Sequence, residues 1–484
     1  MKKGLLIWCF FLLTVKVFGQ QYSQYNTGSL YESFENPSVR TFIPDTSKNF
    51  SFNFLIPNFS ANFYLTGNAQ EALKTRAFSS YYNTAGLQID KGQNNHLNFN
   101  ANLYSVMFKM FSNANGNQEV GFFVNTKTEL RGLASDESVA LFNGYSNFPN
   151  NTYNNIFNDN FYYQVYHQIG VTYREQVSKQ FAFGIKLSAL SGIMYKKYTI
   201  DKSSITFDKA NDAATLSLQG TSYENGAAGQ SDIKKIMPTF LNPGAAITLG
   251  ASYVDESGYT WQGNIKDVGF IHWNSTSSIS SFNSSKLITG LSTPDRENNI
   301  KTAVDSFPSS SQLKKGFTSK TNGLLELSIN KTYWVDGEQQ IKFSPTLIAS
   351  KEMFYPGFTA ALVTPVQIGH NIISLTSSYN DLKLFNLGGQ FMIKKYDSEF
   401  FIGTERLFQT VSLIKNATQS NALTTQQQFV TSQGAFSGMD FYIGVSFKFG
   451  SIIESRMNES STPNGDKGFI GKIWEKWFHK DKNY

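Results

Sequence analysis

Residues 441–449 read Phe-Tyr-Ile-Gly-Val-Ser-Phe-Lys-Phe, with a large apolar side chain at every odd position. After Tyr442 the even positions carry Gly, Ser and Lys. A period of two is the mark of a β-strand, whose side chains alternate between opposite faces. One face is greasy enough for lipid, and the other suits a wet interior. Soluble β-sandwiches alternate too, so one strand does not separate the classes. What separates them is recurrence: such stretches run through most of the chain, behind an export-type leader. The expected fold is all-β, an antiparallel transmembrane β-barrel of the outer-membrane type.

The leader has Lys2 and Lys3 ahead of an apolar stretch, 4–15, that is too short to cross a bilayer. Val17-Phe18-Gly19 ends in a small residue, so residues 1–19 read as a signal peptide cut after Gly19. Cys9, the only cysteine, lies inside it and follows Ile7-Trp8, which is no lipobox. The mature chain therefore forms no disulfide and offers no thiolate. Composition points the same way. Aromatics make up 15% and charged residues only 16%, against about 25% charged in ordinary soluble domains. No run of about 20 apolar residues follows the leader, which excludes a helical membrane protein. The net charge of +6 falls to +3 once Lys2, Lys3 and Lys16 depart, which argues against nucleic acid.

Residues 20–46 are irregular, broken by Asn36-Pro37 and Pro44. Strand-like segments then recur at 49–56 and 58–66 around Pro57, and at 96–111, 120–130, 163–175, 180–198, 215–223, 246–254 and 259–266. They continue at 323–334, 340–349, 358–363, 371–379, 382–394, 399–407 and 441–449. Allowing for short ribbons in loops, about fourteen span the membrane within a barrel of residues 47–450. Tight connections such as Glu256-Ser257-Gly258 and Asp336-Gly337-Glu338 alternate with long ones at 131–160, 199–240, 274–320 and 409–438. These long segments, rich in Asn, Ser, Thr and Gln, read as external loops. Residues 69–82 read as a short helix in a loop or an inward plug.

Beyond a linker at 451–468, residues 469–482 read as an amphipathic periplasmic helix. Ile470, Ile473, Trp474, Trp477 and Phe478 share one face, with Lys472, Lys476 and Lys480 off it. Three roles fit that tail: lying on the inner leaflet, docking on a partner, or covering the mouth of its own barrel.

Phe240-Leu241-Asn242-Pro243-Gly244, then Leu249-Gly250-Ala251-Ser252-Tyr253, then Asp267-Val268-Gly269-Phe270-Ile271-His272-Trp273 form a recognisable series. It resembles the signature of a family of Bacteroidota outer-membrane barrels of unknown function, related to long-chain fatty acid transporter and PorV-like barrels. Glu35-Asn36-Pro37-Ser38 is similar to an early element of that family, with Ser38 where Ala is usual. The resemblance runs over roughly residues 22–450 and implies fold and outer-membrane location, but no activity. Read on their own, Asn36, Pro37, Asn242, Pro243, Gly244, Asp267, Gly269 and Trp273 are structural. Asn-Pro-Gly makes a tight turn into a strand. Trp261 and Trp273 suit an interfacial aromatic girdle.

Catalytic chemistry is not legible. The five histidines, His96, His167, His272, His370 and His479, have no metal-ligand spacing, and no phosphate loop or nucleophile elbow occurs. No enzyme, cofactor or metal is expected. Glu326, Lys342, Lys394, Glu399, Glu405 and Arg406 are expected to point into the lumen, because charges facing lipid are costly. Two functions follow. One is a passive channel for a small apolar or amphiphilic solute, with residues 22–46 as a hatch. The other is a non-catalytic scaffold of a surface secretion complex, PorV-like, that meets envelope partners through its tail.

Overall fold

The computed structural model describes residues 25–39, 48–54, 56–79, 81–111, 117–226, 237–309, 311–338, 340–419 and 436–452. The leader (1–19) and the tail helix (469–482), with Ile470, Ile473, Trp474, Trp477 and Phe478, lie outside the described residues.

Fourteen antiparallel staves close into a barrel. In chain order they are β1 (Lys48–Phe52 and Asn58–Thr66), β2 (Asn94–Phe111), β3 (Gln118–Ser135), β4 (Asn160–Gln176) and β5 (Phe181–Asp208). Then come β6 (Pro243–Val254), β7 (Tyr259–Trp273), β8 (Leu324–Lys331), β9 (Thr346–Glu352) and β10 (Phe358–Ile368). The last four are β11 (Asn371–Asn380), β12 (Phe385–Lys394), β13 (Ser398–Thr404) and β14 (Phe436–Ile452). Each pairs with the next, and β1 pairs with β14 (Phe59 opposite Ile443), so the sheet has no edge. Closure removes the unpaired backbone that lipid does not tolerate. β1 is two halves because Pro57 interrupts the ladder. Asn53 patches the break, donating from Nδ2 to the Tyr104 carbonyl at 3.0 Å and accepting from the Met107 amide.

Alternation works as the sequence implies. On β14, Met439, Phe441 and Phe449 face outward, while Asp440, Tyr442, Ser446 and Lys448 are buried. Leu327, Leu347, Leu375 and Phe391 belong to the same outer belt. Glu326, Lys394, Glu399, Glu405 and Arg406 are all buried on the inside, and Lys342 is half-buried. The short connections, such as 255–258, share one rim with the start of β1 and the end of β14. In barrels of this kind that rim is periplasmic.

The opposite rim corrects one expectation. Segments 136–159, 195–225 and 274–314 are not irregular loops but a folded cap. The upper part of β5 runs on past the barrel and pairs with Ala213–Asn225, which pairs with Ser278–Thr289. Thr152–Asn154 and Gln312–Lys314 flank this sheet. The stretch 215–223 is therefore a cap strand and not a stave. The cap has its own apolar core of Phe148, Phe207, Leu216, Phe282, Ile288 and Phe307. Of the helices, α1 (Leu30–Glu35) lies in the lumen and α2 (Gln70–Ser79) on the outer rim. α3 (Asp136–Ala140) and α4 (Arg296–Ser309) belong to the cap, and α5 (Leu407–Gln419) sits against β14. Arg76 of α2 ties to Glu297 of α4 at 2.8 Å, so α2 belongs to the external side and is no inward plug.

Candidate functional site

The lumen is occupied by the chain's own N-terminal segment. Residues 25–39 wind through it as a plug, with α1 capped by Ser29, whose Oγ accepts from the Glu32 amide at 3.2 Å. Glu32 bends back to accept from the Thr27 hydroxyl at 2.6 Å and the Gly28 amide at 2.8 Å. Next comes a turn in which Asn36 Oδ1 accepts from the Ser38 amide (3.1 Å) and hydroxyl (2.8 Å). Asparagine side chains favour such turns before Pro.

The wall holds this plug at both ends. Tyr25 donates to Glu405 Oε1 at 2.9 Å and receives the Tyr442 hydroxyl at 2.7 Å. The Leu30 amide donates to Glu399 at 2.7 Å, and Lys394 Nζ reaches the Thr27 carbonyl at 2.7 Å. Glu35 pairs with Lys266 at 2.6 Å and accepts from Tyr104 at 2.7 Å. Arg174 Nε donates to the Ser38 carbonyl at 2.9 Å. Asn36 and Pro37 rest on two bare patches of wall. A Cβ on Gly184 of β5 would stand 2.1 Å from the Pro37 carbonyl oxygen, and one on Gly250 of β6 would stand 2.5 Å from Asn36 Oδ1. Glycine is required there because backbone and plug approach too closely for any side chain.

Behind the plug lies a buried charge cluster. β7 bulges between Ile265 and Val268, and Asp267 takes a φ of 48° at the bulge. That left-handed geometry, tolerated by Asp and Asn better than by most residues, turns the carboxylate inward. It meets Lys127, Lys186 at 3.0 Å and Gln168 Nε2 at 2.8 Å. A polar space of about 70 Å3 separates this cluster from Tyr31 and Glu35 of the plug. Its size suits water and not a solute.

Across the lumen the lining changes character. Ile348, Val363, Ile372, Met392, Phe401 and Tyr442, from β9 to β14, form an apolar band on which Tyr25 packs. A second apolar patch, Tyr104, Met107 and Phe123 of β2 and β3, packs on Leu30 and Phe34 of the plug.

The remaining motif residues gather elsewhere. Asn242 Nδ2 donates to the Gly192 carbonyl at 3.1 Å, and its Oδ1 accepts from the Asn274 amide at 3.1 Å. Pro243 opens β6, while Gly244 and Gly269 sit where a Cβ would lie 2.2 Å from a neighbouring carbonyl oxygen. Trp273 closes this knot under the cap. It is fully buried, and its Nε1 donates to Ser319 Oγ at 2.8 Å, so its place in a lipid-facing girdle is corrected. Trp261, by contrast, is half exposed on the outer wall.

A profile described as a family of unknown function, DUF5723, matches residues 42–405. The chain belongs to that family. Among curated proteins no sequence matches this DUF5723 member. Solved structures resemble it at low identity. The Ralstonia pickettii toluene transporter TbuX shares 9% identity, covers 90% of this chain and 98% of its own, and superposes with a TM-score of 0.41. A Pseudomonas aeruginosa FadL homologue also gives 9% identity and 0.41, covering 90% and 95%. The P. putida toluene transporter TodX gives 10% and 0.38, covering 87% and 95%.

Of the site residues read from sequence, the DUF5723 barrel brings Asn36 and Pro37 to the plug, Asp267 to the wall behind it, and the other five to the external knot. Missed were Gly184, Gly250 and the apolar band. Gly184 and the band showed only as alternation, and Gly250 as part of the 249–253 signature, and neither trace names a partner. Among the described residues no group of His, Cys, Asp and Glu is arranged to hold a metal ion.

Proposed function

We propose that this barrel is an outer-membrane channel for a small apolar or amphiphilic solute, exported through a signal cut after Gly19 and opened by movement of its N-terminal plug. The apolar band from Ile348 to Tyr442 carries the reading, because it presents apolar surface to the lumen where the plug's Tyr25 sits. The plug is held by ion pairs and hydrogen bonds that water can replace one at a time, and by an apolar contact of Leu30 and Phe34 with Tyr104, Met107 and Phe123 that must open with them. Planar-bilayer conductance and uptake of a fluorescent fatty acid by proteoliposomes test this. Glu35→Gln with Lys394→Met is expected to raise both. Equal, negligible flux in parent and variant would rule the channel out.

A second reading draws on the cap. A folded external sheet with its own core is more than a channel mouth requires, and it suits a docking surface. In that reading the protein is a PorV-like accessory of a surface complex, with Ile470, Ile473, Trp474, Trp477 and Phe478 as a periplasmic contact. Pull-down from solubilised outer membranes, with and without residues 466–484, tests it. Loss of a defined envelope partner on truncation is expected, and no partner in either form would end it.

A further inference from the structure

The outer wall carries a groove of about 420 Å3 near the periplasmic rim, crossing β5 to β9. Its sides are Phe181, Tyr253, Trp261, Leu327 and Leu347, and its floor is Ala251, Gly263 and Ala349. The floor is kept low by these small residues, Gly263 at its centre. Several strand glycines are forced, since a Cβ on Gly170, Gly220 or Gly269 would stand 2.1–2.2 Å from a carbonyl oxygen, whereas Gly389 has only the Ser374 carbonyl oxygen at 3.8 Å. At Gly263 a Cβ would meet nothing closer than Leu327 Cδ2 at 3.5 Å, an ordinary contact. A side chain at Gly263 would stand in the groove, so the glycine keeps the slot open.

The rim shows what chemistry that is. Tyr259, two residues before Trp261 on the same face of β7, is opposite Lys331 across the ladder, and Lys331 Nζ sits 4.6 Å above its ring. Asp255, in the turn just below, accepts from Trp261 Nε1 at 3.3 Å and feels the Lys331 charge, yet the two form no ion pair among the described residues. An ammonium and a carboxylate thus stand side by side at headgroup depth, above an apolar slot. The zwitterion that complements them has a phosphate for Lys331, an ammonium for Asp255 and an acyl chain for the slot.

We infer that this groove is a binding site for an ethanolamine phospholipid of the inner leaflet. The inference rests on the barrel being embedded in a membrane. It is tested in nanodiscs of phosphatidylcholine doped with acyl-brominated phosphatidylethanolamine or brominated phosphatidylcholine. Trp261 quenching is read as the difference between the full chain and Trp261→Phe. The ethanolamine lipid should quench at about fivefold lower mole fraction, because only its ammonium can donate a hydrogen bond to Asp255 and one such bond is worth about that factor. Asp255→Asn, which leaves the groove open, and Gly263→Phe, which fills it, should each abolish the preference, and Lys331→Gln should weaken quenching by both lipids. Equal quenching by both headgroups in the parent overturns the site. So does a dimer that Gly263→Phe dissociates, since the occupant would then be a second copy. Absence of quenching by any brominated lipid would instead overturn the membrane-embedded barrel itself.

Discussion

At the scale of residues, the plug is seated by what Gly184 and Gly250 lack. Gly184→Val would drive a side chain into the Pro37 carbonyl, 2.1 Å from where its Cβ begins. Valine favours strands, so the stave itself gains. The expected outcome is a folded barrel, with unchanged heat-modifiable migration on gels, that conducts because its plug no longer seats. Asp267 is a separate case. Asp267→Asn keeps a residue type suited to a φ of 48° but leaves Lys127 and Lys186 buried without their counter-charge. Removing one partner of such a cluster costs roughly 3–5 kcal/mol, to be read as a fall in the denaturant midpoint in detergent. Adding Lys186→Met should recover part of it, because one uncompensated charge leaves with the lysine. The sequence showed Asn36-Pro37 as a turn, but of the glycines it rests on Gly184 read as a filler of a polar face and Gly250 as one member of a signature, with no partner for either. Trp273 was placed at the lipid boundary because alternation does not distinguish a girdle from a knot beneath a cap.

Among elements, the staves were legible and the cap was not. A stave repeats its period over ten residues, and burial on one side enforces it. The cap draws its core from single aromatics in polar surroundings: Phe148, Phe207, Phe282 and Phe307 lie far apart in sequence. No local pattern announces such a core, and 215–223 alternated as well as any stave. α4 and α5 were hidden in the same way, within segments whose Asn, Ser and Thr content reads as loop. The cap also holds a titrating group. Asp159 is partly buried beside Ser135, whose amide donates to it at 3.0 Å, and burial pushes its carboxyl up to about 6 from 3.8. Between those values the folded cap binds a proton that the unfolded cap releases. Stability from this group is therefore greatest near pH 4 and is lost as pH rises through about 6. Asp159→Asn should flatten that slope and protect the cap above pH 6. Hydrogen exchange of cap amides at pH 4.5 and 7.5 measures it.

For the whole molecule, barrel and plug are separable structures whose interface combines polar contacts with two apolar patches, one under Tyr25 and one around Leu30 and Phe34. Closure depends on the ladder between β1 and β14, and no residue of 25–39 takes part in it. The plug's charged contacts, Glu35 with Lys266 and Leu30 with Glu399, are made to groups that also have wall partners: Lys266 lies 3.3 Å from Glu326, and Glu399 lies 3.3 Å from Lys448. Deleting residues 25–39 therefore leaves those wall pairs intact, and water entering the emptied lumen hydrates what remains. The deletion should fold, keep its heat-modifiable migration, and raise single-channel conductance from near zero to a steady open level. The apolar band adds a second expectation. With Tyr25 gone, Val363, Met392 and Phe401 face water, so a detergent or fatty acid should bind there and reduce the new conductance. Val363→Asn with Met392→Gln would remove that block while sparing conductance. Conductance that no amphiphile reduces would mean that the band serves packing and that the open barrel is a general pore.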